Sequence, residues 1–276
     1  MLVLTVLLIF TAFFAGLLGS LTGLGGGVVL IPLLTIVFKV DIHYAIGTSL
    51  ISVIATSSGA ASAYVKEGFS NIRLGMFLEL ATTIGAVAGA ALAIITATWF
   101  IAILFGVVLI ISAITSFLKK HDHHVEEDRS RLAHWLKLNS HYPEGSTTIR
   151  YYVVNVIGGF VMMIVAGIAS GLLGIGSGAL KVIAMDNVMR IPFKVSTTTS
   201  NFMIGVTAAA SAGLYLQRGY IDPGLSMPVV LGVLAGSFVG SRILMKAKPA
   251  NLRVVFAVLI LVMAIEMIYN GVTRQI

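Results

Sequence analysis

No cysteine occurs in the 276 residues, which excludes disulfides, thiolate metal sites and cysteine nucleophiles. Charge is scarce too: 11% of the residues are Asp, Glu, Lys or Arg, against roughly a quarter in a soluble domain. Polar interruptions are so few that apolar runs of about 17–25 residues, enough to cross a bilayer, follow one another along the chain. These runs are too long and too continuous for barrel strands. The sequence therefore predicts an all-α integral membrane protein. The first run lacks a basic leader and an Ala-x-Ala cleavage site, so it is expected to be part of the mature protein.

What the chain does have is a repeat. Gly23-Leu24-Gly25-Gly26-Gly27 returns 151 positions later as Gly174-Ile175-Gly176-Ser177-Gly178. The same offset carries Ala15-Gly16 onto Ala166-Gly167, Thr48-Ser49 onto Thr199-Ser200, and Thr56 onto Thr207. Gly85 and Gly89 fall on Gly236 and Gly240, and Phe105 on Phe256. One unit is written twice, a common way to build a membrane transporter.

Each half divides into five apolar elements, at about 2–21, 25–38, 43–65, 74–95 and 99–118, then 151–172, 176–189, 195–216, 225–245 and 252–270. The domains are expected to be a first transmembrane repeat at 1–118, a polar linker at 119–150 and a second repeat at 151–276. In each half the second element is too short to span a hydrocarbon core of about 30 Å, so the glycine elbow and its helix read as two short spans or a re-entrant hairpin. An even number of crossings there puts most basic residues on the linker side. They are Lys66, Arg73, Arg190, Lys194, Arg242, Lys246, Lys248 and Arg253, with Lys119, Lys120, Arg129, Arg131, Lys137 and Arg150 of the linker itself. The other side keeps Lys39, Arg218 and Arg274. This asymmetry predicts a cytoplasmic linker, both termini outside, and two repeats of opposite orientation in a cell membrane. It also accounts for the +7 net charge without invoking nucleic acid.

Three groups of residues can carry chemistry. The glycines Gly25, Gly26, Gly27, Gly176 and Gly178, with Ser177, leave backbone amides open to a ligand, and the helix after each elbow would aim its positive end at a small anion. Against this stands close helix packing, which is the better reading for Gly85, Gly89, Gly236 and Gly240. Thr48 and Ser49, repeated as Thr199, Ser200 and Asn201, offer hydroxyls and an amide at the start of each third element, although such groups also satisfy their own helix. Lys181 lies inside an apolar element, where an ammonium is costly unless paired or wet. It is expected to act as counter-charge for the anion, or to pair with Asp186 or Glu79. Glu79 and Glu266 also lie in apolar elements and could relay protons, but each is only a few residues from an expected interface and reads better as interfacial. His121, His123, His124, His134 and His141 crowd the linker and read as a solvated polar stretch, not a metal site. Leu132, Trp135, Leu136 and Leu138 there are spaced for a short surface helix. No nucleophile–base set is visible.

The sequence resembles the sulfite exporter TauE/SafE family in the first elbow with Pro32 after it, and in Gly47-Thr48-Ser49-Leu50. The second half adds Gly174-Ile-Gly176-Ser177-Gly178, Lys181-Val182, Pro192-Phe-Lys194 and Thr198-Thr199-Ser200-Asn201-Phe202. It departs from the pattern at Ser177, where glycine is usual, and at Ile183, where proline often sits. The resemblance implies a permease for small sulfur-containing anions such as sulfite or organosulfonates, with no enzymatic cofactor and no metal. Its partners would be that anion and the lipid bilayer, and a homodimer fits as well as a monomer. Alternating access between the two inverted repeats is the mechanism expected. The alternatives are an anion channel with a static filter, or an intramembrane sensor or enzyme.

Overall fold

The structure, a computed structural model, describes residues 2–22, 26–66, 70–117, 130–144, 147–244 and 249–274. The first half contains α1 (Leu2–Thr22), α2 (Gly27–Pro32), α3 (Ile42–Lys66), α4 (Ile72–Ile95) and α5 (Thr98–Phe117). Between the halves stand α6 (Arg131–Trp135) and a hairpin of β1 (Ser140–Glu144) and β2 (Thr147–Tyr151). The second half contains α7 (Val156–Leu173), α8 (Gly178–Ile183), α9 (Phe193–Gln217), α10 (Pro223–Leu244) and α11 (Pro249–Val272).

The repeat is visible in backbone detail. α2 continues into a π turn at Leu33–Val37, and α8 into one at Ala184–Val188. Each turn closes with a long backbone bond, Val40 N to Leu34 O and Ile191 N to Met185 O. A cation in the left-handed region follows each turn, Lys39 at φ 53° and Arg190 at φ 52°. Side-chain caps fix the starts of other helices: Asn71 accepts from Leu74 N before α4, and Asn155 from Gly158 N before α7.

Helices of one half pack mainly on helices of the other, and reciprocally: α1 on α10, α4 on α7, α3 on α9 and α5 on α11. Glycines permit the closest crossings. A Cβ on Gly85 would strike the Ile164 carbonyl and one on Gly89 that of Ile168, so α4 and α7 run parallel. Gly232 and Gly236 meet the carbonyls of Ile9 and Phe13 in the same sense, so α1 and α10 run parallel as well. By contrast Gly47 abuts Tyr220 and Gly205 abuts Ser57, which makes α3 and α9 antiparallel. Gly106 against Ala264, with Gly271 against Trp99, makes α5 and α11 antiparallel too.

Two apolar clusters result. One gathers Leu30, Ile46, Leu50, Phe105, Leu173 and Tyr215; the other joins Leu74, Leu78, Met185 and Met189 to residues from the linker. The outer faces of the helices are themselves apolar, with Ile84, Val87, Val161, Val165, Leu231 and Phe238 exposed. A soluble protein would bury such a belt; lipid covers it here.

Among the described residues between the halves, Arg131–Trp135 forms a short helix with Leu132 and Trp135 exposed, as expected, but the helix stops before Leu138, which turns inward and is buried. Tyr142, Tyr151 and Val153 bury themselves beside it, so the hairpin is a packed element and not a solvated one. His134 and His141 are exposed. His121, His123 and His124 lie outside the described residues, and among the described ones no cluster has the make-up of a metal site.

Candidate functional site

The elbows meet. Gly27, the first residue of α2, lies so close to the second elbow that a Cβ on it would sit 3.1 Å from the Gly174 carbonyl. It would also strike Ser49 Oγ, which donates to that same carbonyl at 2.9 Å. In the other half Ser200, the repeat partner of Ser49, donates to the Gly178 carbonyl at 3.2 Å. Each third helix thus ties a hydroxyl to an elbow carbonyl. The second elbow is held open by left-handed backbone at Gly174 (φ 67°), Gly176 (φ 69°) and Ser177 (φ 47°). Its repeat partner Gly26 is instead right-handed, at φ −64°. Gly25 lies outside the described residues.

The remaining residues expected at the site divide. Thr48 pairs with Ser226 at 3.2 Å, and Thr199 accepts the Asn71 amide at 3.0 Å, so both bind neighbouring helices in this state. Ser177 is buried at 2% exposure, and its hydroxyl has no hydrogen-bond partner among the described atoms. An orphaned buried hydroxyl is rare enough to need a reason. Asn201, which follows Ser200 in α9, is also buried.

Lys181 is completely enclosed, at 0% exposure. Its ammonium donates to Thr207 Oγ1 and lies 3.7 Å from Glu79 Oε2. Thr207 in turn donates to Glu79 Oε1 at 2.6 Å, and Thr83 of the next α4 turn donates to the same oxygen at 3.3 Å. The cluster joins α8, α9 and α4. Glu79, read from the sequence as interfacial, is therefore interior and 7% exposed. Its position tracks the α4–α9 crossing, where Gly75 admits Thr199 and Phe202 to close contact and brings the helices within side-chain reach. Glu266 is exposed, as expected of an interfacial residue.

Asn71 was not anticipated. While its Oδ1 caps α4, its Nδ2 donates at 2.8 Å to the Leu138 carbonyl and to Tyr151 Oη, and its amide reaches Thr199. One residue thus links the hairpin to the third helix of the second half. Burial pushes the phenol of Tyr151 up to about 12, so it remains neutral.

Known proteins resemble this chain along nearly its whole length. The family model described as "Sulfite exporter TauE/SafE" matches residues 8–267. A Bacillus subtilis protein named "Probable membrane transporter protein YunE" is 26% identical over 97% of this chain and 98% of its own length. A second from that organism, "Probable membrane transporter protein YdhB", is 27% identical over 86% of this chain and 89% of its own. A Xylella fastidiosa protein named "Probable membrane transporter protein" is 24% identical over 96% of each. No solved structure is significantly similar to the chain.

Proposed function

The chain belongs to the sulfite exporter TauE/SafE family, a family of multi-pass membrane transporters and not of enzymes, and from that premise we propose a permease for a small sulfur-containing anion. The anion is of the sulfite or organosulfonate kind, and it is moved by alternating access between two inverted repeats. The observation that carries this reading is the meeting of the elbows, with Gly27 against the Gly174 carbonyl and Ser49 bonded to it. A broken helix is tolerated inside a membrane only where it lines protein or a watery cavity. The helix after each elbow, with its π turn, is 11 residues long (Gly27–Val37 and Gly178–Val188). That is about 16 Å at 1.5 Å per residue, so a helix starting at one face ends near the middle of a core of about 30 Å.

Inversion has its own support. The equivalent helices α3 and α9 run antiparallel, as do α5 and α11, whereas non-equivalent neighbours run parallel. With the basic residues gathered around 119–150, this orientation supports a reading with the linker in the cytoplasm and both termini outside. Single cysteines at Ala97 and Arg218 should then both label from outside, while one at Arg131 labels from the cytoplasm. Ala97 and Arg218 labelling from opposite faces would contradict inversion.

Within this frame Ser177 and the elbow amides contact the anion and Lys181 supplies the compensating charge. Lys181 is enclosed in the present state, so substrate reaches it after one repeat unit has moved on the other. The decisive test is uptake by purified protein in liposomes, with sulfite, sulfate, thiosulfate and methanesulfonate offered in parallel. Saturable uptake of at least one, with counterflow of labelled substrate, is expected. Absence of flux for all four would overturn the reading.

A further inference from the structure

The buried carboxylate of Glu79 is incompletely satisfied. Oε1 accepts from Thr207 and Thr83, but among the described residues Oε2 has no hydrogen-bond donor, and the Lys181 ammonium stands 3.7 Å from it. The position lies seven residues into α4, roughly 10 Å of helix from its start. Apart from Lys181 and the threonine hydroxyls, α4 and α9 bury apolar residues such as Leu78 and Met203 there, which makes it an expensive place for a lone charge. The pair is therefore tolerated only while both charges are present, or once both are neutralised by something else.

The surroundings narrow what that could be. α7, packed along α4, has no ionisable residue. α9 contributes Lys194 and Tyr215 near its opposite ends, α4 itself Arg73 six positions before Glu79, and the π turn after α8 contributes Asp186. On α3 the described ionisable side chains are His43 and Tyr44 at its start, and those of Tyr64 and Lys66 lie outside the described ones. Lys181 is thus the charge matched to Glu79. An arriving anion that takes Lys181 as counter-ion leaves Glu79 without one, and the orphaned Oε2 is the atom at which a proton can then settle.

We propose that Glu79 is a proton-binding site that couples anion movement to proton movement, a step that rests on the permease reading. A monoanion replaces the carboxylate beside the Lys181 ammonium, and one proton converts that carboxylate to a carboxylic acid, so the occupied site has the same net charge as the empty one. Release on the other side reverses both changes. Anion and proton then travel in the same direction. The relay Lys181–Thr207–Glu79 makes the exchange local, because Thr207 keeps both partners within one hydroxyl of each other.

The test uses methanesulfonate, a strong-acid anion that brings no proton of its own, in liposomes clamped at zero voltage with potassium and valinomycin. An inward gradient of one pH unit should drive wild-type accumulation up to about tenfold, the ratio of the proton activities. E79Q should accumulate none above equilibrium, and whatever exchange of labelled for unlabelled methanesulfonate it retains should not respond to the pH gradient. Wild-type uptake indifferent to the gradient, or E79Q accumulation equal to wild type, would overturn the proposal. If wild type carries none of the offered anions, the permease reading fails on its own. The proton site is then judged by infrared spectroscopy, in which a protonated-carboxyl band should rise in acid for wild type, shift in E79D and vanish in E79Q. A spectrum without that band in wild type would also overturn the proposal.

Discussion

Leu30 and Lys181 occupy the same place in the two repeats, and both are completely buried. Around Leu30 the chain is apolar or self-satisfied. Val230 and Val233 stand where the other half has Glu79 and Thr82, and Thr56 bonds only to carbonyls of its own helix. Around Lys181 the equivalent threonine, Thr207, joins an ammonium to a carboxylate. The shared features, the crossing glycines and the two π turns, recur in both halves. The features that differ carry the charge. A duplicated fold can thus keep its mechanics in what its halves share and its chemistry in what they do not.

The largest effect expected from breaking this asymmetry is at Lys181. Lys181→Ala strands the Glu79 carboxylate and should cost about 3–5 kcal/mol of stability. The loss should show as a steep fall in the thermal unfolding temperature of the detergent-solubilised protein. The double change Lys181→Leu with Glu79→Val copies the residues of the first half, Leu30 and Val230, and should recover most of that loss, because a buried ion pair replaced by apolar side chains is often neutral or better. A double variant no more stable than Lys181→Ala would show that the pair is not what the single change disturbs.

A smaller difference separates Gly26 from Ser177. Ser177 holds a left-handed backbone that its glycine counterpart does not adopt. Left-handed backbone costs a non-glycine residue about 1–2 kcal/mol, partly offset by the greater freedom glycine has in the unfolded chain. Ser177→Gly should therefore raise stability by about 0.5–1 kcal/mol in the same unfolding measurement. It should also weaken anion binding, since it removes the unpartnered hydroxyl. A change in neither quantity would detach Ser177 from both roles.

Much of the frame could be read from the sequence. Apolar runs and the glycine offset located every helix of both halves to within a few residues, since a membrane leaves helices as the default for such runs. The crossing glycines Gly85, Gly89 and Gly236 were legible for the same reason: small residues at four-residue spacing have few other uses there. Long-range pairing was legible only as a choice. Glu79 and Asp186 both stood as candidate partners for Lys181, and no local pattern decides that Glu79 meets it, because α4 and α8 come together only by flanking α9. The hairpin was missed although Tyr142, Thr147, Thr148, Ile149 and Tyr151 favour strands and Glu144-Gly145-Ser146 suits a turn. The mixed charge around it has the composition of a solvated linker, which masks that signal. Asn71 was overlooked because asparagine before a helix ordinarily caps it and does nothing more.

The central claim, that the anion is held where the halves differ, is tested most directly by ligand-induced thermal stabilisation of the Lys181→Leu, Glu79→Val variant beside wild type. A ligand that binds the folded state raises its stability in proportion to occupancy. With sulfite, thiosulfate and methanesulfonate as ligands, wild type should be stabilised by at least one of them. The symmetrised variant should unfold near the wild-type temperature without ligand and show no shift with it. A full shift in a folded, symmetrised protein would place the anion site in the frame the two repeats share and contradict the account.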